Sequence, residues 1–83
     1  MQHLEEIRNT LSNVLSINDR KETLTEHSAL LGSIPELDSM AVVNVITALE
    51  EHFDIIIDDE DISADIFETL GTLTTFIEKK LAE

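Results

Sequence analysis

The stretch Leu37-Asp38-Ser39-Met40-Ala41-Val42-Val43-Asn44-Val45-Ile46-Thr47-Ala48-Leu49-Glu50-Glu51-His52-Phe53 contains neither proline nor glycine. Met40, Val43, Ile46, Leu49 and Phe53 recur along it at steps of three and four residues, and Val42 and Val45 widen the stripe. Its β-branched residues favour a strand if propensity is taken alone, but the length and the spacing decide for a helix with an apolar core stripe. Pro35 cannot lie inside that helix, and Asp38 is a good N-cap residue. The helix therefore begins at Asp38 or Ser39 and ends near His52-Phe53-Asp54. It sets a serine hydroxyl at its exposed start.

On the N-terminal side, Leu4, Ile7, Leu11, Val14 and Leu15 alternate with Glu5, Glu6, Arg8 and Asn9. This predicts an amphipathic first helix over about residues 2 to 16. Residues 17 to 38 carry turn formers and no sustained periodicity. They form a long loop, pinned to the core by Ile17, Leu24, Leu30 and Leu31. Loops of that length in small domains are usually functional. On the C-terminal side, Ile55-Ile56-Ile57 leads into Asp58-Asp59-Glu60-Asp61. The pattern predicts a connecting loop with Ile57 buried, then a short helix or turn around Ile62 to Glu68. A last helix follows from about Thr72 to Leu81, with Gly71 before it and Thr72 as its cap. Leu73, Phe76, Ile77 and Leu81 face inward, and Lys79 and Lys80 complement the negative helix end. The fold class is all-α: a small four-helix bundle of three main helices and one short one. Residues 1 to 83 read as one domain.

Composition narrows the function. The 83 residues include no cysteine, which excludes disulfides and thiolate chemistry of the chain's own. No apolar run reaches the length of a membrane span, and the start does not resemble a signal peptide. The expectation is a monomer in the cytoplasm. The formal net charge is −13, and no lysine or arginine stands between Glu22 and Glu78. Such a surface repels nucleic acid and anionic membranes and attracts partners with basic patches.

Catalysis finds no support. His3, His27 and His52 are scattered, no histidine is placed to orient a base, and Ser39 has no histidine or lysine beside it in the sequence. Metal-ligand spacing is absent, and residues 58 to 61 lack the alternating ligands and glycine of a calcium loop. Ser39 has two readings: an ordinary first-turn serine, or the attachment point of a phosphate-linked arm. Asp38 before it, Met40 after it, and Glu50, Glu51 and Phe53 at the far end of the same helix favour the second.

Those residues resemble the acyl carrier protein family. Leu37-Asp38-Ser39-Met40 is similar to the motif at the start of that family's second helix. Ala48-Leu49-Glu50-Glu51-His52-Phe53 is similar to the stretch near its end. The resemblance continues through Ile57-Asp58-Asp59-Glu60-Asp61 and Thr69-Leu70-Gly71-Thr72-Leu73. It implies that Ser39 accepts 4′-phosphopantetheine from coenzyme A through a phosphopantetheinyl transferase. Asp38 would cap the helix and aid recognition, while Met40, Glu50 and Glu51 would meet partner enzymes. The chain would then hold acyl intermediates as thioesters for acyl-activating, acyl-transferring or synthase enzymes, with no catalysis of its own. Glu36 stands where fatty-acid carriers often have glycine, and Asn44 where they commonly have an acid. The expected pathway is therefore fatty-acid-like or specialised lipid or polyketide synthesis, and the alternatives are a D-alanyl or other amino-acyl carrier and an unmodified acidic adaptor.

Overall fold

The computed structural model describes residues 2 to 82. Helix α1 spans Leu4–Leu15, α2 Ser39–Phe53 and α3 Leu70–Leu81. Three 3-10 turns stand between them: η1 at Asn18–Thr23, η2 at Asp59–Asp61 and η3 at Ala64–Phe67. The fold is the expected all-α bundle of three long helices. Its short fourth element is the 3-10 helix η3, inside the stretch expected as a short helix or turn.

Each long helix contributes a stripe to one core: Ile7, Leu11 and Leu15 from α1, Val45, Ile46 and Leu49 from α2, and Leu73 and Ile77 from α3. Phe67 from η3 closes it, with Ile17, Leu30 and Leu37 from the loop. Ile57 is buried as its pattern requires.

Four expectations need correction. Met40 and Val43 are not core: they are 69% and 57% exposed, while Val45 is fully buried. The buried face of α2 runs through Val42, Val45, Ile46, Leu49 and Phe53, and a helix packed on one side cannot also bury Met40 and Val43. Leu31 is exposed rather than pinned, although its neighbour Leu30 is fully buried. The loop is not featureless, because η1 occupies Asn18–Thr23. Finally, α3 begins two residues earlier than expected. Thr69 is its N-cap and accepts from the Thr72 N–H, while the Thr72 hydroxyl accepts from the Thr69 N–H. Thr72 thus closes a reciprocal capping box rather than starting the helix.

Helices α1 and α2 end alike. Ser16 and Asp54 adopt left-handed backbone at φ 58° and 55°. The next residue then donates back five positions, Ile17 N–H to Ser12 O and Ile55 N–H to Glu50 O. These bonds satisfy carbonyls that the helix leaves open and turn an isoleucine back toward the bundle.

The long loop is held by lacing to the segment that enters α3. Leu30 and Leu31 donate to the carbonyls of Glu68 and Phe67, and Leu70 and Gly71 donate to those of Ser28 and Glu26. This lacing, centred on a single antiparallel bridge between Ala29 and Thr69, fixes the approach to α2 and therefore to Ser39.

Candidate functional site

Asp38 leads into α2 with extended backbone (φ −100°, ψ −175°), and its Oδ1 accepts the Ala41 N–H at 2.8 Å. The Asp38 carbonyl accepts the Val42 N–H, the first bond of the helix. This is ordinary N-capping by a carboxylate, and it satisfies the third N–H of the helix. The first two, on Ser39 and Met40, have no hydrogen-bond partner among the described residues.

The start of α3 is different. Its first N–H groups, on Leu70 and Gly71, reach the Ser28 and Glu26 carbonyls, and the third, on Thr72, reaches the Thr69 hydroxyl. The N-terminus of α3 is therefore closed by its own loop, while that of α2 is open to solvent beside the exposed Ser39. Two free N–H groups and the positive end of the helix dipole suit a phosphodiester on that serine. Phosphopantetheine attachment thus fits the residues present.

A second tie holds the segment before Ser39. The Arg20 guanidinium donates to the Glu36 carboxylate, joining η1 to the turn that precedes α2. A hydrogen bond that the Glu36 carboxylate accepts from its own backbone N–H, aided by the Arg20 guanidinium, holds that carboxyl below the usual glutamate range. Sequence reading missed this pair, because nothing in the spacing of residues 20 and 36 marks them as neighbours.

The acid pair at the far end of α2 divides. Glu51 is exposed. Glu50 is half-buried and its carboxylate accepts the Ile57 N–H at 2.8 Å, so it organises the turn after α2. Two histidines find distant acids in the fold, His3 with Glu78 and His52 with Glu6, while His27 pairs only with its sequence neighbour Glu26. His3 and His52 also meet the Phe53 ring edge-on, with centroids 5.6 and 4.7 Å away. This cluster sits at the opposite end of α2 from Ser39, about 20 Å along the helix axis. No base is therefore supplied to Ser39 from it. An open groove of about 450 Å³ lies beside the start of α3, between Glu26, Ile66 and Thr75, and includes none of the residues marked on α2. Among the described residues, no group of three or more histidines and acids could hold a metal ion, and no helix is long and apolar enough to cross a membrane.

A family model described as the phosphopantetheine attachment site matches residues 5–77. The chain belongs to the phosphopantetheine-attachment family of acyl carrier proteins. The solution NMR structure of a holo acyl carrier protein from Nitrosomonas europaea is similar to it over its whole length. That protein is 65% identical, covers 100% of both chains and superposes with a TM-score of 0.94. Among proteins of curated function no significant match is found. The carrier has no catalytic activity of its own, and its prosthetic group is covalently bound 4′-phosphopantetheine. As a carrier protein it interacts with a phosphopantetheinyl transferase and with biosynthetic enzymes in general.

Proposed function

We propose that Ser39 carries the 4′-phosphopantetheine arm and that Asp38 serves the modifying enzyme as well as the helix. The observation that carries this reading is the open N-terminus of α2, where Ser39 is exposed and its N–H and that of Met40 lack partners. In the transfer, the Ser39 hydroxyl oxygen bonds to the phosphorus next to the pantetheine half of coenzyme A. The hydroxyl proton passes to a base of the transferase, and the nucleotide half leaves. The attached arm supplies the terminal thiol that this cysteine-free chain lacks, and with it the thioester that activates the cargo. The chain's own part is to hold the phosphodiester at the helix terminus and to present a rigid surface. The carrier operates as a cytoplasmic monomer in fatty-acid-like or specialised lipid or polyketide synthesis. Its overall negative charge steers enzymes with basic patches toward it.

An amino-acyl cargo on the same serine is the second reading. It is favoured by the absence of any acid between Ser39 and Leu49. Incubation of the apo carrier with coenzyme A and a broad-specificity phosphopantetheinyl transferase tests the attachment. The mass should rise by one phosphopantetheine, and Ser39→Ala should abolish the gain. No gain, or a gain retained in Ser39→Ala, would overturn the assignment. The thioester species recovered from native cells then distinguishes acyl from amino-acyl cargo.

A further inference from the structure

The fold ties one basic side chain to the segment that leads into Ser39. Of the five lysines and arginines in the chain, Lys79 and Lys80 stand in the last turn of α3. Their neighbour Glu78 meets His3 beside Phe53, at the far end of α2. Arg8 lies within α1 and donates to the Leu24 carbonyl. Lys21 is half-buried in η1. Arg20, also in η1, is exposed and donates through Nη2 to the Glu36 carboxylate. Its Nε and Nη1 have no partner among the described residues. Glu36 stands three residues before Ser39, a span of at most about 11 Å even for an extended chain. The chain there is turned, since the Leu37 N–H donates to the Ile34 carbonyl and the Asp38 N–H to that of Glu36.

A phosphodiester on Ser39 adds a permanent negative charge next to Asp38 and three residues from Glu36, on a chain whose formal net charge is already −13. Like charges this close repel one another unless a cation stands among them. The open N–H groups at the start of α2 supply partial positive charge, about half an elementary charge in total. A guanidinium supplies a full one, and its planar fork of five donors can serve two oxyanions at once. Arg20 spends one donor on Glu36 and keeps others open. The Glu36 bond also orders the long side chain in advance, so a second contact costs less conformational entropy.

We infer that Arg20, held by Glu36, is the countercharge of the arm's phosphodiester on Ser39, so that one guanidinium ties η1 both to the turn before α2 and to the prosthetic group. This rests on Ser39 as the attachment point. The test compares the full-length carrier in its apo and holo forms, with peptide mass mapping to fix where the arm is attached. In phosphorus NMR, the phosphodiester resonance of holo Arg20→Gln should move toward that of the urea-unfolded holo carrier. Holo Lys21→Gln loses the same charge and should keep the wild-type resonance. Urea titration gives a second reading. Arg20→Gln should lower the midpoint further in the holo form than in the apo form, because the holo form loses the phosphodiester contact as well as the Glu36 bond. The Arg20–Glu36 pair is exposed, so its loss leaves the carrier folded. An unmoved phosphorus resonance in Arg20→Gln overturns the inference and leaves the phosphodiester to the helix N–H groups alone. Equal midpoint losses in the apo and holo forms overturn it too, as does an equal resonance shift in Lys21→Gln. With wild type modified on Ser39, those results sink only the role of Arg20. An arm mapped elsewhere, or none, sinks the attachment site.

Discussion

The N–H of Gly71 donates to the carbonyl oxygen of Glu26 over 2.8 Å, and a Cβ at position 71 would stand 2.7 Å from that same oxygen. The glycine lies in the first turn of α3, where a helix former would otherwise be preferred. It is there because the loop backbone passes too close for a side chain. Gly71→Ala should therefore destabilise the carrier by about 1–3 kcal/mol despite its better helix propensity. In thermal denaturation the midpoint should drop by at least about 4 °C. An unchanged midpoint would mean that the loop moves aside without loss.

Asp38 has two separable duties. Asp38→Ala removes the acceptor of the Ala41 N–H and should cost about 1 kcal/mol. Asp38→Asn keeps a comparable cap and should leave the stability within a few tenths of a kcal/mol of wild type. If the charge serves the transferase, modification of Asp38→Asn slows although the fold is intact. Equal modification rates for wild type and Asp38→Asn would leave Asp38 as a cap alone.

Asp61 supplies a pH dependence of known sign. Its bond to Lys80, at 2.7 Å, holds its pKa below the ordinary value of 3.8. A carboxylate whose folded pKa is depressed adds stability above the unfolded value and loses it as pH falls through the folded one. Asp61→Asn should thus lower the urea midpoint at neutral pH. The gap to wild type should close only below pH 3.8. A gap that closes between neutral pH and 5 would assign the effect to another group.

The left-handed ends of α1 and α2 offer a gain. Asp54 holds φ 55° although it has a Cβ, and glycine adopts that region without steric cost. Asp54→Gly should keep the Ile55 N–H bond to Glu50 O and stabilise the carrier by about 0.5–1 kcal/mol. Removing one negative charge from a strongly acidic chain acts in the same direction. A lower melting temperature for Asp54→Gly would show that the aspartate carboxylate does something the backbone does not.

Much of this was legible because it is local. Asp38 before an apolar-periodic run marks a helix start in any context, and the open N–H groups at Ser39 follow from that cap. The helix order and the burial of Ile57 are likewise written in spacing. What escaped is non-local. Arg20 meets Glu36 and Gly71 meets Glu26 only after the loop has folded back, and no periodicity encodes those meetings. The start of α3 was misplaced for a related reason: Thr69 and Thr72 are both good caps, and the choice between them follows from reciprocal bonding and from the lacing at Leu70 and Gly71.

The error in α2 is of a different kind and leads to a decisive comparison. Val42, Val43 and Val45 are chemically alike, so hydrophobicity alone could not say which valines face inward. Periodicity could have done so, since Val42, Val45, Ile46, Leu49 and Phe53 form a narrower stripe than one that also takes in Met40 and Val43. The orientation predicts opposite outcomes for the same substitution two residues apart. Val45→Ala empties a fully buried site and should cost about 2 kcal/mol. Val43→Ala removes a side chain that is 57% exposed and should change stability by no more than about 0.5 kcal/mol. Urea titrations of the two variants decide the matter. Equal losses would mean that α2 is rotated in solution. Loss at Val45 alone keeps Val43 on the surface, where its truncation leaves the stability of the fold intact.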